Sequence, residues 1–113
     1  MNIPTKVPEK GFYYHYKHDP SLKVSNYAYE VVGVGVHTEE NCRPEDSSMV
    51  VYRPLYKDAN VFKAGKLFDL RPLEMFMYDV SKEGKTFSRF TKITDAKVVA
   101  ELEAIKKTMY GVE

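Results

Sequence analysis

Tryptophan is absent from this chain of 113 residues, and cysteine occurs once, at Cys42. One thiol cannot close an intramolecular disulfide or build a cysteine-rich zinc site, so nothing here calls for an oxidising compartment. A reduced, cytoplasmic setting fits best. Charge of one sign is also missing. Lys and Arg total 17 against 16 Asp and Glu, a net charge of +1, so no overall field draws in a polyanion or an anionic membrane. Any nucleic-acid role needs a local patch. No apolar run approaches the roughly 18 residues of a membrane span, and residues 1–6 lack the apolar core of a signal peptide. With 6 glycines and 6 prolines the chain is not collagen-like or low in complexity. What remains is one small soluble globular domain.

The signatures of common catalysts are missing too. Gly33-Val34-Gly35 invites a dinucleotide reading, but Thr38 stands at the third glycine position and the pair lies inside a strand-like segment. There is no P-loop, no His-Glu-x-x-His and no Gly-x-Ser-x-Gly. No cofactor and no metal is expected: His15 and His18, three apart in a strand, point to opposite faces. Cys42 lies among Glu39, Glu40, Glu45 and Asp46, acidic neighbours that disfavour the thiolate of an activated nucleophile.

What is present is β-branched and aromatic. Residues 1–10 read as a flexible lead-in, residues 11–93 as a small β domain and residues 94–113 as a C-terminal helix packed on that domain or on a partner. Strands are expected at residues 12–16, 27–37, 49–56, 61–62, 67–72 and 86–90. Residues 73–80 read as a strand or as a helical turn followed by one. Residues 38–47 form a polar loop, residues 57–60 and 64–66 form turns, and residues 81–85 form a hairpin turn. Pro54 places the third strand at an edge or marks its end. In the second strand Val32, Val34 and Val36 share one face, while Tyr29, Val31, Gly33, Gly35 and His37 share the other. The glycines there imply a bend or a close backbone approach.

After Ile93 the period changes. Val98, Leu102, Ile105 and Met109 recur at helical spacing, Thr94 or Asp95 can cap the start, and Gly111 stands at the stop, so a helix is predicted over about 95–110. Five or six short strands with one terminal helix make a mainly β domain, a strongly bent sheet or small barrel.

Arginine and tyrosine carry the functional signal. Only four arginines accompany thirteen lysines, yet Arg53, Arg71 and Arg89 each lie in an apolar, strand-like segment. A guanidinium there either pairs with Glu30, Glu74, Asp69 or Asp79 or grips an outside anion in two-pronged fashion. Arg53 and Arg71 are expected to be held by neighbouring carboxylates, with at least one guanidinium edge open to an anion. Tyr13, Tyr14, Tyr16, Tyr27, Tyr29, Tyr52 and Tyr56 crowd the first half of the chain. Some fill the core and the rest suit a stacking surface. His15 and His37 are placed at one end of the same sheet, with a reference pKa near 6.5 that suits anion binding or proton transfer.

The blocks 11–17, 29–33, 37–39, 50–56, 67–68, 71–76, 84–85 and 89–90 resemble, in order, the small bacterial family called domain of unknown function 1653. The resemblance spans about residues 11–93 and implies an SH3-like barrel without implying an activity. It departs at Tyr14, Phe68 and Ser88, where the family usually has arginine, tryptophan and proline, and the terminal helix looks like an addition.

These observations favour a non-catalytic binding module for an anionic or extended ligand, whether peptide, nucleotide or nucleic acid. The candidate site is His15, Tyr13, His37, Glu39, Arg53, Tyr56 and Arg71. Two alternatives accompany it: a small enzyme on an anionic metabolite with a histidine general base near Glu39, and a homo-oligomer assembled through the C-terminal helix.

Overall fold

The structure is a computed structural model that describes residues 6–39, 41, 43, 47–57 and 68–111. The expectations for residues 58–67, including the strand at Val61-Phe62, and for Cys42 lie outside the described residues.

Strand β1 (Gly11–His15) pairs antiparallel with β2 (Ala28–Val36), which pairs with β3 (Ser48–Pro54), and β3 with β4 (Asp69–Pro72). A short helix α1 (Leu73–Met77) follows, then the hairpin β5 (Asp79–Lys82) and β6 (Lys85–Ser88), then β7 (Phe90–Lys92) beside β1, and last α2 (Ala96–Tyr110). The five-stranded sheet has the order β4-β3-β2-β1-β7, with β5-β6 as a separate two-stranded sheet. Among the described residues that order is open at both ends, so of the expected bent sheet or small barrel the structure gives a mainly β sheet with a terminal helix and no closed barrel.

Two local events reshape the expected strands. The segment 86–90, expected as one strand, breaks at Arg89. Residues up to Ser88 pair with β5, whereas Phe90 opposes His15 on β1. One stretch of chain therefore serves two sheets. In β2 the register steps from Val31↔Tyr52 to Gly33↔Val51, a bulge at Val32 that puts Val31 and Val34 on the same face and leaves Val32 exposed. The expected three-valine face is lost to that bulge. A Cβ on Gly33 would meet nothing within 4 Å, so the expected close backbone approach does not occur there and the bend is the bulge beside it.

The two faces of the sheet carry separate cores. Phe12, Ala28, Leu55 and Ile93 lie under α2, whose Leu102 is fully buried and whose Val98, Val99, Ile105 and Tyr110 pack around it. Burying such a leucine is worth roughly 1.5–3 kcal/mol. Helix α2 starts where Asp95 accepts from the N–H of Lys97 and Val98, and it stops at Gly111, with φ 85°. Of the four expected packing residues, Met109 is only half-buried. On the other face Tyr13, Tyr29, Val31, Val50 and Tyr52 lie beneath Leu73 and Phe76 of α1, with Tyr56 and Phe90 packed alongside. Among the described residues no helix is long and apolar enough to cross a membrane.

Candidate functional site

Strand alternation decides which arginine goes where. On β3, Tyr52 points toward α1, so its neighbour Arg53 points toward α2. There Arg53 is 3% exposed, and its Nε donates to Oε1 of Glu30 at 2.9 Å. Oε2 of Glu30 accepts from Nζ of Lys106 at 2.8 Å. The guanidinium lies 4.1 Å from the Tyr110 ring centre and 5.1 Å from that of Phe68. Arg53 is thus enclosed and ion-paired, and it lies on the face opposite Arg71.

Arg71 lies on the α1 face, where its Nε donates to the Tyr52 hydroxyl at 3.3 Å and its guanidinium stands 5.9 Å from the Phe90 ring centre. Arg89 sits at the crossing between the two sheets, its carbonyl accepting from the N–H of Tyr16 at 2.9 Å. Its buried Nε has no hydrogen-bond partner among the described residues. Among the described residues no carboxylate pairs with Arg71 or Arg89, so the expected carboxylate hold forms at Arg53 and is corrected at Arg71, which bonds a tyrosine hydroxyl instead. Both charges and Lys17 act on His15. Burial first, then Arg89, Lys17 and Arg71, hold that ring down to about 4, so it is neutral at physiological pH. Nδ1 of His15 accepts from the N–H of Lys17 at 3.2 Å. The neutral ring therefore carries its proton on Nε2, as a donor.

Around these groups lies a continuous array of rings. His15 packs on Tyr16 at 4.4 Å, on Tyr27 at 5.6 Å and edgewise on Phe90 at 5.2 Å. Tyr27 meets Tyr56 at 5.7 Å, and the hydroxyls of Tyr56 and Tyr29 lie 2.5 Å apart. Burial first, and then this bond to Tyr56, raise the Tyr29 hydroxyl far above its ordinary range and keep it protonated. Tyr27 holds φ 52°, a left-handed conformation that is rare for a bulky side chain and recurs where a site over-determines the backbone.

Of the sequence-predicted residues, His15, Tyr56 and Arg71 share this face. Tyr13 is on it too, but it is 6% exposed and its hydroxyl donates to the carbonyl of Glu9. His37 does not join them. His15 pairs with Tyr27 at the start of β2, whereas His37 follows its end, some 30 Å away at about 3.3 Å per residue. The expected common end for the two histidines is therefore corrected to opposite ends. His37 is exposed, and its Nδ1 accepts from the backbone N–H of Glu39, so the pair forms a local turn and no acid–base dyad. Arg89, Tyr16 and Tyr27 complete the face. Their signal was an arginine in an apolar segment and the aromatic run itself.

A second feature is an open depression of about 530 Å³ between the 22–26 loop, Leu55–Lys57 and α2, lined chiefly by Leu22, Leu55, Ile105 and Met109. It is mostly apolar and touches the aromatic face only through Tyr56. Tyr14 faces α2 as well, with its hydroxyl on the carbonyl of Val24 at 2.6 Å and its ring stacked on His18 at 3.5 Å. Tyr14 thus lies across the sheet from Arg71. Among the described residues no group of three or more His, Cys, Asp or Glu is placed to hold a metal ion.

Comparison with known proteins gives no match among curated proteins and none among solved structures. Residues 11–92, from the start of β1 to the end of β7 and excluding α2, match the family described as "Protein of unknown function (DUF1653)", and the chain belongs to that family.

Proposed function

We propose that the protein is a non-catalytic binding module for a small anion, held by Arg71 and Arg89 with the Nε2–H of His15 on the aromatic face of the sheet. The observation that carries this reading is the pair of arginines, partly buried and without a carboxylate among the described residues. Ionised groups near a core are ordinarily paired. A site kept short of acceptors is a site for a ligand that brings them, and a phosphate or carboxylate matches the guanidinium fork.

His15 fits a binding role better than a base. Its Nδ1 lone pair is occupied by the N–H of Lys17, and surrounding cations disfavour its taking a proton. It offers a donor directed by packing between Tyr16, Tyr27 and Phe90. Such a role needs no acid–base partner. We place the module in a reduced cytosol, in line with its single thiol, and read its sheet as an opened relative of an SH3-like barrel.

Isothermal titration with inorganic phosphate tests the reading. The parent is expected to bind saturably, and Arg71→Gln and Arg89→Gln are each expected to weaken binding by roughly tenfold or more, since a charge-assisted hydrogen bond contributes about 1.5–3 kcal/mol. His37→Gln should leave binding unchanged. Absence of saturable binding, or affinity indifferent to both arginine substitutions, would overturn the proposal.

A further inference from the structure

We propose that the open depression beside α2 binds a medium-chain carboxylate, with the alkyl chain on Leu22, Leu55, Ile105 and Met109 and the head group at Lys23 and Lys57. This site goes beyond the anion site above: it uses neither Arg71 nor Arg89 and lies chiefly on the helical side of the sheet. At about 530 Å³ the depression falls within the roughly 300–1,000 Å³ of small-molecule sites, which are mostly apolar with a few polar groups that fix orientation.

The apolar part follows from the helix. Leu102, Ile105 and Met109 continue one stripe of α2, yet only Leu102 is fully buried, and Ile105 and Met109 reach the depression half-buried. Across from them Leu22 is 59% exposed in the 22–26 loop, and the fully buried Leu55 forms the floor. Large apolar side chains left partly in water by two separate elements around one hollow mark a surface that takes an apolar ligand.

The polar part sets the charge of that ligand. Among the described residues the lining carries Lys23 and Lys57 and no Asp or Glu. The carbonyls of the loop already accept hydrogen bonds within the fold. Those of Lys23 and Ser25 accept from the N–H of Asn26 and Ala28, that of Val24 from the Tyr14 hydroxyl, and that of Asn26 from Nδ1–H of His18. Asn26 also commits its Oδ1 to the N–H of Asp19 at 3.0 Å. What the loop keeps for a ligand is donors: the ammonium of Lys23, which has no ion-pair partner among the described residues, and the amide N–H groups of Asn26. A cationic, donor-bearing rim on an apolar hollow complements a molecule that is apolar along its length and anionic at one end. A carboxylate on an alkyl chain is the simplest such molecule.

The test is titration of the full chain with decanoate, octanoate and decanol below their aggregation concentrations, followed by nuclear magnetic resonance of the methyl groups. Decanoate is expected to bind saturably and to shift the methyls of Leu22, Leu55, Ile105 and Met109. It should bind several-fold more tightly than octanoate, since each buried CH₂ contributes up to roughly fourfold. It should also bind roughly tenfold more tightly than decanol, in line with a charge-assisted hydrogen bond. Lys23→Gln combined with Lys57→Gln should remove the preference for decanoate over decanol, and Leu22→Ser should weaken both ligands several-fold. All three positions are exposed, so these variants keep the fold, and the same spectra check it. Absence of saturable binding, or shifts confined to other methyls, overturns the proposal. Decanol equal to decanoate, or a preference that survives the double lysine variant, overturns recognition of the carboxylate. If the chain instead dimerises and the same methyls shift with protein concentration, the depression is an interface between two copies and the proposal falls. Phosphate binding at Arg71 and Arg89 stands or falls separately.

Discussion

On the α2 side of the sheet the buried arginine is fully employed, whereas on the α1 side two arginines are not. Arg53 is enclosed by Glu30, Tyr110 and Phe68, with Lys106 holding the second oxygen of Glu30. Arg71 has a tyrosine hydroxyl, and Arg89 has a buried Nε with no acceptor. The residue type is the same and the environments are opposite. The faces differ in packing as well: mixed aliphatic and aromatic side chains under a capped helix on one, a denser array of stacked and tilted rings on the other. The difference teaches that one sheet can enclose and pair an arginine on one side while, among the described residues, leaving arginines without carboxylates on the other, the side on which the anion site is proposed. The family match adds that the helix closing the structural side lies outside the shared region.

The largest expected effect tests the helical side. Leu102 is fully buried at the centre of the second core, so Leu102→Ala should cost about 2–5 kcal/mol in urea unfolding, and Leu102→Asp more. An unchanged unfolding midpoint would mean that α2 is not part of the core, and the contrast between faces would collapse with it.

The next effect compares arginine with arginine. Arg53→Met should destabilise by about 3 kcal/mol, the lower end for breaking a buried pair, because Lys106 still holds Glu30. Arg89→Met removes a guanidinium whose buried Nε has no acceptor among the described residues, so its unfolding free energy should stay within about 1 kcal/mol of the parent or rise. Denaturant curves of the two variants side by side decide the matter. Equal losses would show that Arg89 is as structural as Arg53.

How much of this was legible depends on whether a feature is local. Helix α2 was legible because Asp95, the Val98/Leu102/Ile105 spacing and Gly111 each act within one segment. The bulge at Val32 was not, since a bulge belongs to a pair of strands and its partner residues, Val51 and Tyr52, lie about twenty positions away. The break at Arg89 was hidden for the same reason: nothing in residues 86–90 says that their partner changes from β5 to β1. For the site, alternation already put Tyr52 and Arg53 on opposite faces, so the enclosed fate of Arg53 was within reach. The separation of His15 from His37 needed the antiparallel register, which only folding supplies. Arg71 and Tyr56 drew attention because an arginine within an apolar run and a crowding of tyrosines in the first half of the chain are unusual on their own terms.

A smaller effect separates the faces by pH. His15 is held down to about 4 in the fold, against about 6.5 in an unfolded chain. The neutral ring is the form the fold favours. Its contribution is complete above pH 6.5 and is lost as pH falls from there toward 4, because the unfolded chain takes the proton first. With partial exposure the loss should be about 1 kcal/mol. His15→Gln should flatten unfolding midpoints across that window, while above about pH 7.5 the parent and the variant should run parallel. A His15 titration near 6.5, read by nuclear magnetic resonance, would contradict the enclosure by Arg89, Lys17 and Arg71.

The smallest effect lies at the other end of the scale and on the other face. Hydrogen bonding to Glu30 raises Lys106 above its ordinary 10.5, against a smaller opposing cost of burial. A raised lysine favours the charged form in the fold, so its contribution is complete below pH 10.5 and is lost as pH rises through the folded value. Lys106→Met should therefore cost a few tenths to about 1 kcal/mol at pH 7–9, the range of a solvent-near ion pair. That difference should shrink toward zero above pH 11. Taking the difference between parent and variant removes the alkaline ionisation of the tyrosines, which both proteins share. The same pair needs the Glu30 carboxylate ionised, so the difference should also shrink in acid, and the alkaline limb is where Lys106 alone is read. If the difference between parent and Lys106→Met instead stayed constant through pH 11, the charge of Lys106 would not be what it contributes, and the helical face would be held by packing alone.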